Sequence, residues 1–211
     1  MRYNVHNNKV ALVRYNAQAI FNTEFHMQEF NQHLAQTLKD IRKEKGWSLD
    51  RSAKETGVSK AMLGQIERGE SSPTVATLWK IAGGFHISLS SLLEPPPGGP
   101  EETLIRSAAE LRHQPASDQM LVAPLFPYEA RYGFELFELT LLPGYERLAE
   151  PHEKGVTEHV VVTSGEMELL VDGQWLVLEQ GAAIRFVADK PHGYRNRRQA
   201  PAVFHSLIHY P

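Results

Sequence analysis

The first regular pattern of apolar and polar positions along the chain is helical. Phe30, Leu34, Leu38 and Ile41 recur at the spacing of three and four residues that places side chains on one face of a helix. Gly46 follows a basic run, a combination typical of a helix C-terminus. The pattern therefore predicts a first helix that ends before Gly46.

Four further short helices are predicted, each opened by a serine or threonine whose hydroxyl suits a helix N-cap. They cover about residues 48–56, 59–68, 74–82 and 88–92. The prolines and glycines of residues 95–100 cannot continue a helix. We therefore predict a helical domain of five helices at residues 27–94 and a Pro/Gly-rich linker and connector at residues 95–118.

Beyond the connector, the pattern changes to short β-strands separated by turn signals. Apolar and β-branched runs are predicted as strands at residues 134–142, 159–163, 166–171 and 175–178. The turn signals are Pro143-Gly144, Ser164-Gly165 and Asp172-Gly173. Such regular spacing predicts that residues 119–211 form an antiparallel barrel or sandwich, so the fold class is multidomain α + β.

Residues 1–26 show no clear period and predict no regular element. Met27 directly precedes the first helical pattern, so one hypothesis is that translation starts there. The alternative is that residues 1–26 form an ordered N-terminal extension or arm.

Length and composition agree with two globular domains. The chain has 211 residues, of which 42% are apolar, enough for packed cores. It has no apolar run near the roughly 20 residues of a membrane helix and no secretory signal at its N-terminus, so we expect a cytoplasmic protein without membrane contact. Because the chain contains no cysteine, any metal site must use His, Asp or Glu.

Charge is distributed unevenly between the two predicted domains. Residues 28–94 carry nine Lys or Arg against eight Asp or Glu, whereas residues 119–211 carry eight against twelve. The overall charge of −3 argues only weakly against nucleic-acid binding, since basic groups on one face of a near-neutral domain suffice. Such binding should be sensitive to salt.

The segment between Leu49 and Gly69 has the spacing of a helix-turn-helix. Gly57 permits the sharp turn between its two short helices, and small and apolar residues can pack the pair. These packing residues are Ala53, Val58, Leu63 and Ile66. The second helix, residues 59–68, is the predicted recognition helix.

These residues resemble the XRE family of phage-repressor-like transcription regulators. The matching elements are Ala53, Gly57-Val58-Ser59, Gln65-Ile66-Glu67-Arg68-Gly69 and Ser72-Pro73-Thr74. The resemblance implies a lambda-repressor-like helix-turn-helix domain that binds a double-stranded DNA operator. It also implies that four residues of the recognition helix form the DNA-binding site. They are Ser59, Lys60, Ala61 and Gln65.

The same resemblance implies that Glu67 pairs with Arg42 of the first helix, which gives both a structural role. Two positions depart from the family pattern: Ser52 stands where leucine is usual, and Leu49 stands where a DNA-contacting glutamine is common. A DNA contact at Leu49 is therefore not expected.

The second half resembles the two motifs of the cupin family, which implies an antiparallel jelly-roll β-barrel. The residues that carry the resemblance are Gly144, His152, Glu158, Gly165, Gly181, Pro191, His192 and Asn196. It implies that His152, Glu158 and His192 hold a divalent metal such as zinc, with coordination positions left open. Lys154 stands where the family has a further histidine.

A small molecule could bind in the barrel by chelating this metal, and an amino acid or related small acid would suit it. Lys154 could instead replace the metal as a fixed positive charge for an anionic effector. Tyr194 and Asn196 share strand parity with His192 and are predicted to contribute to ligand binding. His159 should lie on the strand face opposite Glu158.

The interpretation that follows is a transcription regulator whose cupin domain senses a small-molecule effector. We expect a homodimer, because two half-sites double the contacts of a small helix-turn-helix. One alternative is a metal-dependent cupin enzyme fused to a DNA-binding domain, against which the lysine at position 154 counts. Another is a protein-interaction module that binds neither DNA nor a small molecule.

Overall fold

The structure is a computed structural model that describes residues 30–94, 104–112 and 119–211. The predictions for residues 1–26 and Met27, and for the proline- and glycine-rich residues 95–100, lie outside the described residues. No helix in the described part of the chain is both long and apolar enough to cross a membrane.

The N-terminal domain is helical, as the apolar spacing predicts. Its helices are α1 (described over residues 30–44), α2 (Leu49–Thr56), α3 (Lys60–Glu67), α4 (Val75–Phe85) and α5 (Ser90–Leu93). Three residues of the α1 pattern, Phe30, Leu34 and Leu38, are buried in the same core as Phe85 of α4, and the fourth, Ile41, is partly buried against it. Burial of these faces supplies most of the driving force for the domain.

Three of the predicted N-caps are confirmed. The hydroxyls of Ser48, Ser59 and Thr74 accept hydrogen bonds from the first turns of α2, α3 and α4. The prediction that Ser88 caps the last helix is wrong. That helix begins at Ser90 without a side-chain cap, and Ser88 Oγ instead accepts a hydrogen bond from Ser90 Oγ.

Helix α4 extends beyond the predicted end at Ala82 and reaches Phe85. The continuation passes through Gly84, which lies directly against Thr56 of α2. A Cβ at position 84 would come within 2.5 Å of Thr56 Cα, so only glycine allows the two helices to approach this closely. The extra turn buries Phe85 completely and therefore stabilises the helix beyond its local propensity.

Arg42 of α1 and Glu67 of α3 form the expected bidentate ion pair. Arg42 Nε and Nη2 donate to the two carboxylate oxygens of Glu67 at 2.5 and 2.8 Å. Arg42 also donates to the Trp47 carbonyl at 3.0 Å. The side chains are only 17% and 8% exposed, so the pair joins α1 to the recognition helix in a partly dry setting.

We expect Glu67→Ala to lower the free energy of unfolding by about 2–4 kcal/mol, because it leaves the half-buried guanidinium of Arg42 without its acid. Urea unfolding of the full chain, followed by circular dichroism, measures the effect. Glu70→Ala is the matched control, since it removes an acid from an exposed pair with Arg68. Equal stability of wild type and Glu67→Ala would contradict the structural role of the pair.

The C-terminal domain consists of antiparallel strands. They are β1 (Met120–Glu129), β2 (Phe134–Leu141), β3 (Glu146–Ala149), β4 (Thr157–Ser164), β5 (Glu166–Val171), β6 (Gln174–Glu179), β7 (Ala183–Val187), β8 (His192–Arg195) and β9 (Ala202–His209). A short helix in the connector, α6 (Ala108–Leu111), packs against β1. The four predicted strands are present with slightly different ends, and the turn glycines adopt positive φ angles.

The strands form two sheets that face each other. One has the order β1-β2-β9-β4-β7 and the other the order β3-β8-β5-β6. Side chains such as Phe137, Phe204 and Leu169 are fully buried between the sheets. Successive side chains of a strand point to opposite faces of its sheet. Polar side chains that point inward from the two sheets therefore meet in the same interior.

The two domains contact each other directly. The backbone N–H of Ser90 donates to Glu135 Oε2 at 3.0 Å, and the N–H of Tyr128 donates to Ser90 Oγ at 2.9 Å. The ring of Trp79 on α4 packs edge-on against Phe137 of β2. Polar and apolar contacts therefore hold the C-terminal end of the helical domain on the sheet that carries β1 and β2.

Candidate functional site

The exposed face of α3 contains the residues predicted to contact DNA. Ser59, Lys60, Ala61 and Gln65 are all exposed, whereas Leu63 and Ile66 on the opposite face are buried. Gly57 adopts the left-handed conformation with φ of 66°, which produces the turn between α2 and α3. The sequence therefore leaves one polar face of the recognition helix open.

Within this face the side chains differ in how they are held. Lys60 Nζ pairs with Asp50 Oδ2 at 2.8 Å across the turn, in an exposed ion pair that can exchange partners readily. Ser59 Oγ is occupied as the cap of α3. Among the described residues, none forms a hydrogen bond with the side-chain amide of Gln65, so this amide is available to a base edge.

Inside the C-terminal domain, the structure brings His152, Glu158 and His192 together. Their nitrogen and oxygen donor atoms all lie within 4.8 Å of one another. Glu158 Oε1 is 2.9 Å from His152 Nε2 and 3.4 Å from His192 Nε2. Three residues separated by up to 40 positions in sequence thus form one cluster.

The strands determine the direction of these side chains. Glu158 on β4 is buried between two partly buried neighbours and points inward, and its other oxygen accepts hydrogen bonds from Tyr194 and Ser206. His192 begins β8 and is buried. His152 lies in the segment between β3 and β4, where its backbone N–H donates to the Ala188 carbonyl at 2.9 Å.

The hydrogen bonds of the cluster determine its electrostatics. Burial alone would raise the pKa of Glu158, but its hydrogen bonds and charge interactions with His152 and His192 lower that pKa well below its usual range. Burial lowers the pKa of His192, and Glu158 more than compensates, so the net pKa is raised. The cluster therefore keeps Glu158 ionised in the interior.

The donor set fits a divalent metal. His192 Nδ1 donates to the Lys190 carbonyl at 2.9 Å, so in the neutral ring the proton lies on Nδ1 and the lone pair of Nε2 is directed at the cluster. Two imidazole nitrogens and one carboxylate are ligands that zinc and ferrous iron both accept, with positions left for other ligands. This His2Glu cluster could therefore bind a metal ion.

The His2Glu cluster lies in the wall of a cavity of about 1150 Å³. The sheet side of this cavity also includes Tyr194, Arg147 and Ala149. The hydroxyl of Tyr194 donates a hydrogen bond to Glu158. The opposite side is formed by the helical domain. Its residues there include Trp79, Lys80, Gly83, Gly84, His86 and Ile87.

Trp79 brings the helical domain into contact with the cluster itself. Its ring lies edge-on to the ring of His152, with the centroids 5.4 Å apart. The ring of His152 in turn stacks on His192 at 5.6 Å. A shift of the His152 ring would therefore displace the ring of Trp79 and with it α4, the helix that follows the predicted recognition helix.

Two other predicted ligand-binding residues lie away from the cavity. Lys154 is exposed in the turn between β3 and β4 and does not line the cavity, so the role of fixed cation for an effector does not fit its position. Asn196 is fully buried, and its amide bonds the backbone of Leu141, Ala200 and Arg198. Strand β8 ends at Arg195, so the parity argument from His192 does not extend to Asn196.

His159 lies outside the cavity, on the strand face opposite Glu158, as strand alternation predicts. Arg147 and Trp79 were not identified from sequence. The two-residue period of β3 could have placed Arg147 and Ala149 on one face, but four residues are too few to predict a strand. Trp79 is indistinguishable from an ordinary core residue of α4 before the packing of the domains is known.

Known families match both halves of the chain. Residues 38–92 match the helix-turn-helix family, and residues 137–208 match the cupin domain family. The chain is 48% identical over 185 residues to the HTH-type transcriptional regulator SutR of Escherichia coli K12, covering 88% of this chain and 99% of that protein. The HTH-type transcriptional regulator SinR of Bacillus subtilis is 37% identical over 62 residues, 29% of this chain and 56% of SinR.

A solved structure agrees with this two-domain arrangement. The crystal structure of an HTH_3 family transcriptional regulator from Vibrio cholerae has a TM-score of 0.73 and 43% identity to the chain. The match covers 88% of this chain and 99% of that one. The similarity therefore extends over both domains.

Proposed function

Because the chain belongs to the helix-turn-helix transcriptional regulators that carry a cupin domain, we propose that it binds an operator through α3 and senses a small molecule through the His2Glu cluster. The effector we expect is an amino acid or related small acid, held with the help of a divalent metal such as zinc. The observation that carries the proposal is a single cavity lined by both the cluster and the DNA-binding domain.

The DNA-binding part of the proposal rests on the open polar face of α3. Gln65 can pair with adenine through its amide, and Lys60 can bind guanine or a phosphate after releasing Asp50. Ser59 and Ala61 lie close to the helix N-terminus, where backbone groups approach the DNA. A homodimer would present two such helices to two half-sites of one operator.

The sensing part rests on the chemistry of the His2Glu cluster. A metal bound by His152, Glu158 and His192 would supply a Lewis-acidic centre with open positions for a carboxylate or amine of the effector. The chain's own residues orient that centre: Lys190 fixes the tautomer of His192, and Tyr194 holds the second oxygen of Glu158.

The contact between Trp79 and His152 provides a route from the cavity to DNA binding. A ligand affects DNA affinity only as far as it prefers one arrangement of the two domains. A molecule at the cluster would contact or displace the indole of Trp79, because that ring already lies against His152. The position of α4, and with it that of α3, would then depend on occupancy of the cavity.

We expect Gln65→Ala to weaken binding to operator DNA by about 10- to 100-fold, because a bidentate amide contact to a base is worth about 1–3 kcal/mol. DNA fragments enriched by the wild type from a random library serve as the operator, and fluorescence anisotropy measures the affinity. Glu44→Gln in α1 is the control, since residue 44 is exposed outside the turn and α3.

Failure of the wild type to enrich any sequence, or an unchanged affinity of Gln65→Ala, would contradict recognition through α3. The same anisotropy assay with metal-loaded and metal-stripped protein tests the sensing part. Identical affinity in both states, in the presence and absence of small acids, would contradict a regulatory role for the cavity.

A further inference from the structure

Arg147 is a cation that faces the interior of the cavity. In β3 the residues Arg147 and Ala149 are partly buried and line the cavity, whereas Glu146 and Leu148 alternate with them and are exposed. Arg147 pairs in register with Tyr194 of β8, so the two side chains share one face of the sheet. Tyr194 itself reaches Glu158, which places Arg147 on the cluster side of the cavity.

This arginine has no acid partner among the residues that the structure describes. Some other arginines of the domain do have one: Arg195 pairs with Glu168 at 2.5 Å, and Arg131 pairs with Glu129 at 2.9 Å. Of the acids of this domain that line the cavity, Glu158 serves the two histidines and Tyr194, Glu153 pairs with His86, and Glu150 is exposed just after β3. A guanidinium that is half withdrawn from water and lacks an acid is suited to receive an anion.

The surroundings of Arg147 favour a planar anion with a second polar end. Arg147 lines the same cavity as the His2Glu cluster and lies beside Tyr194, whose hydroxyl donates to Glu158. A guanidinium presents a fork of parallel N–H donors that matches the two oxygens of a carboxylate. An acid bound there would have the cluster beside it and Trp79 across the cavity.

We propose that Arg147 binds the carboxylate of a small organic acid whose other end reaches the cluster of His152, Glu158 and His192. This inference rests on the proposed function, because it names the class of effector for that same cavity. It assigns the anion-binding role to Arg147, which faces the cavity, in place of Lys154, which does not.

The test measures binding of defined acids to the full chain by isothermal titration calorimetry. The probes are glycolate, malonate, succinate and glutarate, each compared with its uncharged amide. We expect at least one acid to bind the wild type, with its affinity falling about 10- to 100-fold in Arg147→Gln, because a charge-assisted pair is lost. The amides should bind neither protein measurably.

Lys154→Gln is the matched control, because it removes one positive charge from the same segment of the domain but outside the cavity. It should bind the acid as the wild type does. Circular dichroism and an unchanged unfolding midpoint check that Arg147→Gln is folded. Equal affinity of acid in wild type and Arg147→Gln, equal affinity of acids and amides, or no binding of any acid would overturn the inference.

The two proposals fail in different ways. A protein that binds acids through Arg147 but selects no DNA sequence would overturn only the regulatory function. A protein that binds DNA through Gln65, responds to metal, and binds acids independently of Arg147 would overturn only the inference about the effector. Calorimetry without DNA and anisotropy without acids therefore test the two proposals separately.

Discussion

His192→Ala should abolish stoichiometric binding of a divalent metal. The wild type purified without chelator should contain about one ion per chain, because three donors and a fixed tautomer are in place. Loss of one outer partner of a metal ligand already costs about 10- to 100-fold in affinity, so loss of a direct ligand should cost about 100-fold or more. Elemental analysis of the purified proteins measures the metal and identifies it.

His159→Ala is the control for this prediction. It removes an imidazole from the residue next to Glu158, but on the strand face that does not line the cavity. It should retain the metal of the wild type. Because His159 and His192 belong to the same domain but only His192 lines the cavity, the comparison separates loss of a ligand from loss of an imidazole in general.

Thermal stability gives a second measurement of the same site. A metal that binds only the folded protein stabilises it by about 2.7 kcal/mol at a free concentration of one hundred times its Kd. A chelator should therefore lower the melting temperature of the wild type and of His159→Ala, and leave that of His192→Ala unchanged. No metal in the wild type, even after reconstitution with zinc or ferrous iron, would contradict the metal site and leave DNA binding unaffected.

The helix-turn-helix could be predicted from the sequence because the residues that determine it lie close together in the chain. Gly57, the Ser59 cap and the apolar spacing of Leu63 and Ile66 all act within a dozen residues, and each is present in the structure. The wrong N-cap at Ser88 shows the limit of the same reasoning. Ser90 is instead positioned by Glu135, a residue 45 positions away, so a tertiary contact decides where the helix begins.

Only some of the residues that line the cavity could be predicted from the sequence. Motif spacing identified His152, Glu158 and His192, which the fold does bring together, but it could not separate the inward residues from those in a turn such as Lys154. Trp79 joins the site solely because the domains dock. The spacing of apolar residues within one domain cannot predict this contact, because the contact depends on how the two domains are oriented relative to each other.

Glu135 is a buried acid at the contact between the two domains. It is fully buried, and its two oxygens accept hydrogen bonds from the Ser90 backbone N–H at 3.0 Å and the Tyr210 hydroxyl at 2.5 Å. One donor belongs to the helical domain and the other to the end of the sheet domain. Its carboxyl therefore links the two domains through a contact that water does not reach.

We expect Glu135→Ala to lower the free energy of unfolding by about 3–5 kcal/mol, because two buried donors lose their acceptor and a cavity is left. The domains should then unfold in two separate transitions. Differential scanning calorimetry of the full chain measures both effects. Ser90→Ala is the matched control, since it keeps the backbone donor to Glu135 and removes the hydroxyl, which accepts from the Tyr128 N–H and donates to Ser88 Oγ.

Glu135→Gln should behave differently, because its amide can still accept from Ser90 and can donate to the Tyr210 oxygen. Burial raises the pKa of Glu135 despite the hydrogen bonds from Tyr210 and Ser90. A carboxyl whose pKa is raised on folding contributes most below its unfolded value near 4.5, and that contribution is lost as the pH rises through the folded value. The wild type should therefore lose stability relative to Glu135→Gln as the pH rises above about 4.5, by at most about 1.4 kcal/mol per pH unit.

Urea unfolding of wild type and Glu135→Gln between pH 4.5 and 8 measures this difference. Because both proteins share every other titrating group, the difference between their unfolding free energies reports Glu135 alone. A difference that stays constant over this range would mean that Glu135 has the same pKa folded and unfolded. A single transition in Glu135→Ala, with wild-type stability, would mean that the domains are held together without this carboxyl, and that the route from the cavity to α3 must rely on Trp79 and its apolar neighbours.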